Sequence, residues 1–149
     1  MNAEKLTQKS AEAIRLAQTL AQEYGNPQIE QVHLLAALLS DETGLIPQLL
    51  TGMGATLPSF NAGVKDLMER QPRVTSSAHE PGKIYISGDT EKALNRAEAV
   101  AGEMKDEFTS VEHLFLALLD TAGRELASLF QDYRITREGA LQALTAVRP

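Results

Sequence analysis

The chain of 149 residues contains no cysteine, which excludes disulfides and thiolate metal sites and suits a reducing cytosol. It also has no long uncharged apolar run, so neither a signal segment nor a membrane span is predicted. The residues after Met1, from position 2 to position 5, read Asn-Ala-Glu-Lys. We therefore expect a soluble, cytoplasmic protein without a membrane partner.

The chain also lacks an excess of positive charge. The chain has 14 Lys and Arg against 20 Asp and Glu, which gives a formal net charge of −6. Because affinity for nucleic acids comes largely from clustered cationic side chains, this balance argues against a nucleic-acid partner.

No phosphate-binding loop of the form G-x-x-x-x-G-K-[ST] is present. Gly82 and Lys83 are the nearest approach, but Ser77 stands where the first glycine belongs and Ile84 where the hydroxyl belongs. The backbone could not wrap a phosphate there, so we expect this chain to bind no ATP.

The residues for other catalytic or metal sites are lacking too. The three histidines show no metal-ligand spacing such as H-E-x-x-H. Ser110 lies close to His113 in sequence, but no orienting acid stands at a suitable spacing. The sequence predicts no catalytic residues, no metal and no cofactor in this chain.

What the sequence does contain is an internal repeat. When the chain is shifted by 80 positions, residues 13–56 align with residues 93–136 without a gap, with 11 identical positions. Core positions between them match conservatively, as Ile14 does with Leu94. The match follows the buried pattern rather than the surface, which indicates two copies of one small helical subdomain.

Each copy is predicted to contain four helices. The first begins after Thr7, and the fourth begins after Thr56 or Thr136, because threonine is a favourable N-cap. The second helix is apolar on nearly all sides and is therefore predicted to be buried. The predicted second and third helices cover Glu30 to Ser40, Ser110 to Asp120, a stretch after Gly44, and Arg124 to Phe130. In the last helix the residues expected to face inward are Leu141, Leu144 and Val147.

The predicted fold is one all-α domain over residues 1–149, made of two pseudo-twofold-related four-helix repeats. The repeats span about 5–70 and 84–148, and the segment 71–83, rich in Pro, Ser, Thr and Gly, is predicted to be an exposed linker. The apolar run at 84–86 is short, so we expect an extended lead-in to the next helix rather than a strand.

His33 and His113 occupy equivalent positions at the starts of the two buried helices. Their symmetry allows a ligand-binding role. The favoured interpretation is structural, because a histidine beside a helix start can satisfy neighbouring backbone groups while its ring packs.

Both copies carry a His-Leu-(Leu/Phe)-x-Ala-Leu-Leu core, and the chain also contains Gln-Pro-Arg-Val at 71–74 and Asp-Glu-Phe-Thr-Ser-Val-Glu-His at 106–113. On these residues the chain resembles the Clp N-terminal double-repeat family, and within it the ClpB branch. ClpC-like repeats usually carry a glutamate in both copies at the position where Val32 stands here.

The resemblance implies the N-terminal domain of a longer AAA+ disaggregase that captures unfolded or aggregated polypeptides. The alternative is an adaptor-docking domain of the ClpA or ClpC kind, which Val32 disfavours. The family further implies a homohexamer that works with a DnaK system. ATP and magnesium would then bind only in ATPase modules outside this chain, and the isolated domain is expected to be a monomer.

The resemblance also implies substrate contact through three polar residues, Thr7, Asp106 and Glu112. Structural alternatives stay open: Thr7 caps a helix, Glu112 completes a capping box with Thr109, and Asp106 favours a helix dipole. An apolar floor is expected beside them. Its expected members are Val100, Leu94 and Leu114.

Overall fold

The computed structural model describes residues 1–74 and 84–148, so most of the predicted linker lies outside the described residues. The described residues form eight α-helices, four on each side of that segment. In the first copy these are α1 (Gln8–Glu23), α2 (Gln31–Leu39), α3 (Leu45–Gly52) and α4 (Leu57–Glu69). In the second copy they are α5 (Gly88–Glu103), α6 (Val111–Thr121), α7 (Arg124–Asp132) and α8 (Arg137–Val147). The all-α prediction is confirmed.

The first helix of each copy begins at a hydroxyl N-cap. Thr7 Oγ1 accepts the N–H of Ser10 at 3.2 Å, and Ser87 Oγ accepts the N–H of Thr90 at 3.2 Å. These bonds satisfy amide groups that have no partner inside the helix. The prediction that Thr7 caps α1 is confirmed.

The caps of the fourth helices differ between the copies. Thr136 Oγ1 accepts the N–H of Gly139 at 3.0 Å, whereas the Thr56 side chain makes no capping bond. Helix α4 does begin after Thr56, as predicted, but the threonine side chain does not cap it, and Pro58 in the first turn adds a start signal. Val147 is also not an inward-facing residue of α8, because 46% of it is exposed.

The two second helices form the centre of the core. In α2, Leu34 and Leu35 are 1% and 0% exposed, and in α6, Leu114 and Phe115 are both 0% exposed. The first helices of the two copies, α1 and α5, approach them through small residues. These buried alanines are Ala13, Ala17, Ala21, Ala93, Ala97 and Ala101. Small side chains allow close helix packing, which explains the alanine spacing shared by both copies.

The segment 84–86 is extended, as expected, but it is also paired. A short strand β2 (Tyr85–Ile86) lies parallel to β1 (Gln28–Ile29), with Ile29 opposite Ile86. The expectation that this segment is not a strand is therefore wrong. A pair this short has no sequence period, so the pattern could not reveal it.

A second backbone contact mirrors this pair. Leu6 forms a parallel bridge with Thr109, and these residues lie 80 positions from Ile86 and Ile29 respectively. The lead-in of each copy thus pairs with the segment before the buried helix of the other copy. Such reciprocal exchange is what an approximate twofold relation between the copies requires.

Candidate functional site

The site is built from the end of α5, the start of α6 and the end of α8. At the end of α5, Lys105 adopts a left-handed φ of 60°, and the N–H of Asp106 bonds the carbonyl of Ala101 at 2.9 Å. This pattern is a Schellman-type helix end. It turns the chain so that the Asp106 side chain meets a histidine ring at the start of α6.

That ring belongs to His113, which is fully buried. Its Nδ1 accepts the backbone N–H of Ser110 at 2.8 Å, and its Nε2 lies 2.8 Å from Asp106 Oδ2. Because Nδ1 is an acceptor, the ring proton is on Nε2 and is donated to Asp106. The prediction that this histidine satisfies a helix start is confirmed.

The first copy repeats the arrangement with a neutral partner. His33 Nδ1 accepts the N–H of Glu30 at 2.8 Å, and Nε2 contacts Asn26 Oδ1 at 2.8 Å. Burial lowers the pKa of His33 to about 4, so this ring is neutral near pH 7. The structural prediction holds for His33 as well.

The capping box predicted from Thr109 and Glu112 is wrong. Ser110 is the N-cap of α6, and His113 occupies the third helical position that receives the cap N–H. Thr109 is buried, and its N–H bonds the carbonyl of Lys5 at 2.7 Å. The carboxylate of Glu112 is therefore not needed at the helix start.

Glu112 instead contacts Arg148, which follows the last residue of α8. Arg148 Nη1 donates to Glu112 Oε2 at 2.9 Å, and Arg148 Nη2 donates to Asp106 Oδ1. One guanidinium thus joins the two carboxylates that the resemblance had singled out. Arg148 was not predicted, because it lies beyond the apolar period and its partners are 36 and 42 residues away.

The charges of this network stabilise one another. The hydrogen bond from Arg148 is the largest influence on Asp106 and lowers the pKa of its carboxyl, with a smaller contribution from His113. Desolvation acts in the opposite direction and is outweighed. The bonds to Asp106 and Glu112 also raise the pKa of Arg148.

Thr7 lies against the same loop through its backbone. Its N–H bonds the carbonyl of Thr109 at 3.1 Å, while its side chain caps α1. Thr109 lies in the segment that joins Asp106 to Glu112. The structure therefore joins Asp106 and Glu112 through Arg148 and brings Thr7, from the first copy, against the segment between them through its backbone.

The predicted apolar floor is not open. Val100 and Leu114 are 0% exposed and Leu94 is 9% exposed, so all three belong to the core in this conformation. Two apolar residues close in sequence to this network, Phe108 and Val147, are 45% and 46% exposed. Phe108 is two residues from Asp106, and Val147 is adjacent to Arg148. We call Asp106, Phe108, Glu112, Val147 and Arg148 the acidic face.

A separate cleft of about 400 Å³ lies where α1 and α3 meet the end of α2 and the start of α6. Its lining is mainly apolar, with charged groups at its rim. Six of the residues that line it are Lys9, Leu16, Leu38, Asp41, Ile46 and Val111. It is a second surface on which another molecule could pack.

Neither a metal centre nor a membrane span is found in the part of the chain that the structure describes. Over residues 1–74 and 84–148, His and carboxylate side chains do not gather in groups of three or more that could hold an ion. None of the described helices is both long and apolar enough to cross a bilayer.

Comparison with known proteins agrees with this architecture. Residues 5–133 match the family model of the Clp repeat (R) N-terminal domain. The chain is 36% identical over 148 residues to the chaperone protein ClpB of Bacillus anthracis, covering 99% of this chain and 17% of that protein. It is 33% identical over 149 residues to ClpB of Nitratidesulfovibrio vulgaris, with the same coverage of 99% and 17%. The chain thus spans about a sixth of the length of these relatives.

Solved structures show the same fold at lower identity. The Hsp104 N-terminal domain from Candida albicans superposes with a TM-score of 0.83 at 21% identity, covering 97% of this chain and 92% of that chain. A complex of the ClpV N-domain with a VipB peptide gives a TM-score of 0.72 at 24% identity, covering 96% and 86%.

Proposed function

Because this chain belongs to the Clp repeat (R) N-terminal domain family, we propose that it captures exposed segments of unfolded or aggregated polypeptides for a ClpB-type AAA+ disaggregase. Capture would precede threading by ATPase modules that are not part of this chain. Those modules would bind the ATP and magnesium. The proposed assembly is a homohexamer that cooperates with a DnaK system.

The observation that carries this proposal is the acidic face. It combines two carboxylates that accept hydrogen bonds from one guanidinium with two apolar residues that are nearly half exposed. Exposed apolar groups can pack against side chains that a folded protein would bury. Charged groups beside them favour polypeptide segments of complementary charge and fix the orientation in which a segment binds. Thr7, Asp106 and Glu112 are the polar contacts that we propose.

The contribution of Val100, Leu94 and Leu114 would differ from that of the polar residues. They are buried, so contact with a captured chain requires a shift of the helices that cover them. We propose that they support the face from below and become a floor only after such a shift.

Binding by one domain should be weak. About 100 Å² of apolar surface on Phe108 and Val147 would contribute roughly 2.5 kcal/mol at about 25 cal/mol per Å². Association costs about 4 to 15 kcal/mol, so a single face cannot hold a flexible chain tightly. Several domains on one hexamer would recover affinity through effective concentration.

Adaptor docking is the second candidate, and one observation favours it. A protein of the same fold, the ClpV N-domain, has been solved with a VipB peptide. In the present chain the cleft lined by Lys9, Leu16 and Ile46 offers such a partner a cavity of about 400 Å³ with a mainly apolar lining. Docking there would leave the acidic face free.

Amide NMR distinguishes the two candidates. The probe is reduced, carboxamidomethylated lactalbumin, which remains unfolded, and the control is the same protein with its disulfides intact. Capture predicts shifts at Thr7, Asp106, Phe108 and Glu112 with the unfolded form alone. Shifts confined to the cleft would favour docking, and equal shifts with both forms would contradict capture of unfolded chains.

A further inference from the structure

The two copies differ in charge at the positions that hold Arg148. Asp106 and Glu112 lie 80 residues after Asn26 and Val32, neither of which carries a charge. Asn26 still accepts the hydrogen bond of its histidine at 2.8 Å, and Val32 is buried at 3% exposure. The fold of a copy therefore needs neither carboxylate. The acidic pair is present in the second copy alone.

The pair is nearly covered when Arg148 is in place. The side chains of Asp106 and Glu112 are 21% and 10% exposed, and that of Arg148 is 35% exposed. One oxygen of Asp106 bonds His113, and the other bonds the guanidinium. A polypeptide that approached these carboxylates would have to displace Arg148 first.

Loss of Arg148 from this place would leave two carboxylates close together without a cation. Two nearby anions repel each other, and partial burial raises the cost of their charge. A second cationic side chain at the same position would remove that cost. The position therefore favours lysine or arginine from any chain that takes over the contact.

We propose that Arg148 is an autoinhibitory latch on the acidic face, which a cationic side chain of the captured polypeptide displaces from Asp106 and Glu112. This inference rests on the proposed capture function. Release of the latch also frees the end of α8, where Val147 is exposed. Segments that combine positive charge with apolar residues are thus the preferred substrates of this face.

The test compares Arg148→Gln with Arg137→Gln. Arg148→Gln removes a positive charge just after α8, and Arg137→Gln removes one at the first residue of α8. Arg137 contacts Asp120 at 2.8 Å, away from the acidic face. The probe is an unstructured peptide of Phe, Leu, Arg and Ser, and its partner replaces every Arg by uncharged citrulline. Affinities are measured by NMR titration, with the signals of Asp106 and Glu112 as reporters.

The latch predicts that Arg148→Gln binds the arginine peptide about threefold to tenfold more tightly than the parent, while Arg137→Gln stays within about twofold. The citrulline peptide should show little gain. If the parent binds the arginine peptide at this face as tightly as Arg148→Gln or more tightly, the latch is overturned and the capture function is retained. Absence of binding to the parent and to both variants would overturn both the latch and the capture function.

Discussion

Lys105 holds in the second copy the left-handed backbone position that Gly25 holds in the first, with φ values of 60° and 68°. A second pair repeats this relation, because Arg134 has φ 56° where Gly54 has φ 89°. The turn geometry of the two copies is thus the same although the residue that favours it is present in only one. Asp106 is positioned by this turn.

The first prediction follows from the left-handed backbone of Lys105, which is a strained conformation for a residue with a side chain. Lys105→Gly should stabilise the domain by about 0.5 to 1 kcal/mol, because a side chain in the left-handed region costs roughly 1 to 2 kcal/mol and glycine offsets part of it by its unfolded-state entropy. Lys92→Gly is the matched control, since it removes the same charge inside α5 and should cost about 1 kcal/mol. Urea unfolding measures both. A loss of stability in Lys105→Gly would show that its side chain has contacts worth more than the strain.

The second prediction concerns His33. Its pKa is lowered from 6.5 to about 4 by burial, so between these values the unfolded chain binds the additional proton. The neutral ring of His33 should therefore make its full contribution to stability above about pH 6.5. As the pH falls towards 4, the free energy of unfolding should decrease by on the order of 3 kcal/mol because of this group.

NMR titration of the His33 ring and urea unfolding at several pH values check this expectation. Replacement His33→Gln removes the titrating group, so it should lower stability at pH 7.5 and flatten the change between pH 6.5 and 4. A ring that titrates near 6.5 in the folded protein would contradict the proposed effect of burial.

The third prediction uses the two copies as controls for each other. Thr136→Ala should cost about 0.5 to 2 kcal/mol because it removes the hydrogen bond to the N–H of Gly139. Thr56→Ala, at the equivalent position, should cost clearly less, since that side chain makes no capping bond. Both threonines are exposed, so differences in packing are small. Equal costs for the two variants would show that the side-chain cap does not stabilise α8.

The sequence was sufficient to predict helices whose apolar residues recur at helical spacing. The two buried helices, for example, begin and end within a residue of their predicted bounds. Contacts between distant segments left no such pattern. Ile29 and Ile86 pair through the backbone alone, and Arg148 reaches Glu112 from 36 residues away. Neither contact requires a periodic arrangement of side chains, so periodicity could not predict them.

The polar residues proposed for the site came from the resemblance, which did not predict their surroundings. The pattern T-x-x-E at Thr109 fits a capping box, yet the backbone of Thr109 is already bonded to Lys5 on the incoming segment of the other copy. This tertiary contact shifts the helix start to Ser110. The role of the cap partner then passes from Glu112 to His113.

The last prediction tests that shift. Thr109→Val should cost about 1 kcal/mol or less, because the pairing of Thr109 is through its backbone and the first copy holds Ile29 at the equivalent position. His113→Phe keeps a ring of similar size but removes the acceptor for the Ser110 N–H and the donor to Asp106, and should cost about 2 to 4 kcal/mol. Urea unfolding of the two variants gives the comparison. If Thr109→Val proved the more damaging change, the helix would start from the threonine after all, and Glu112 would regain a structural role that competes with capture.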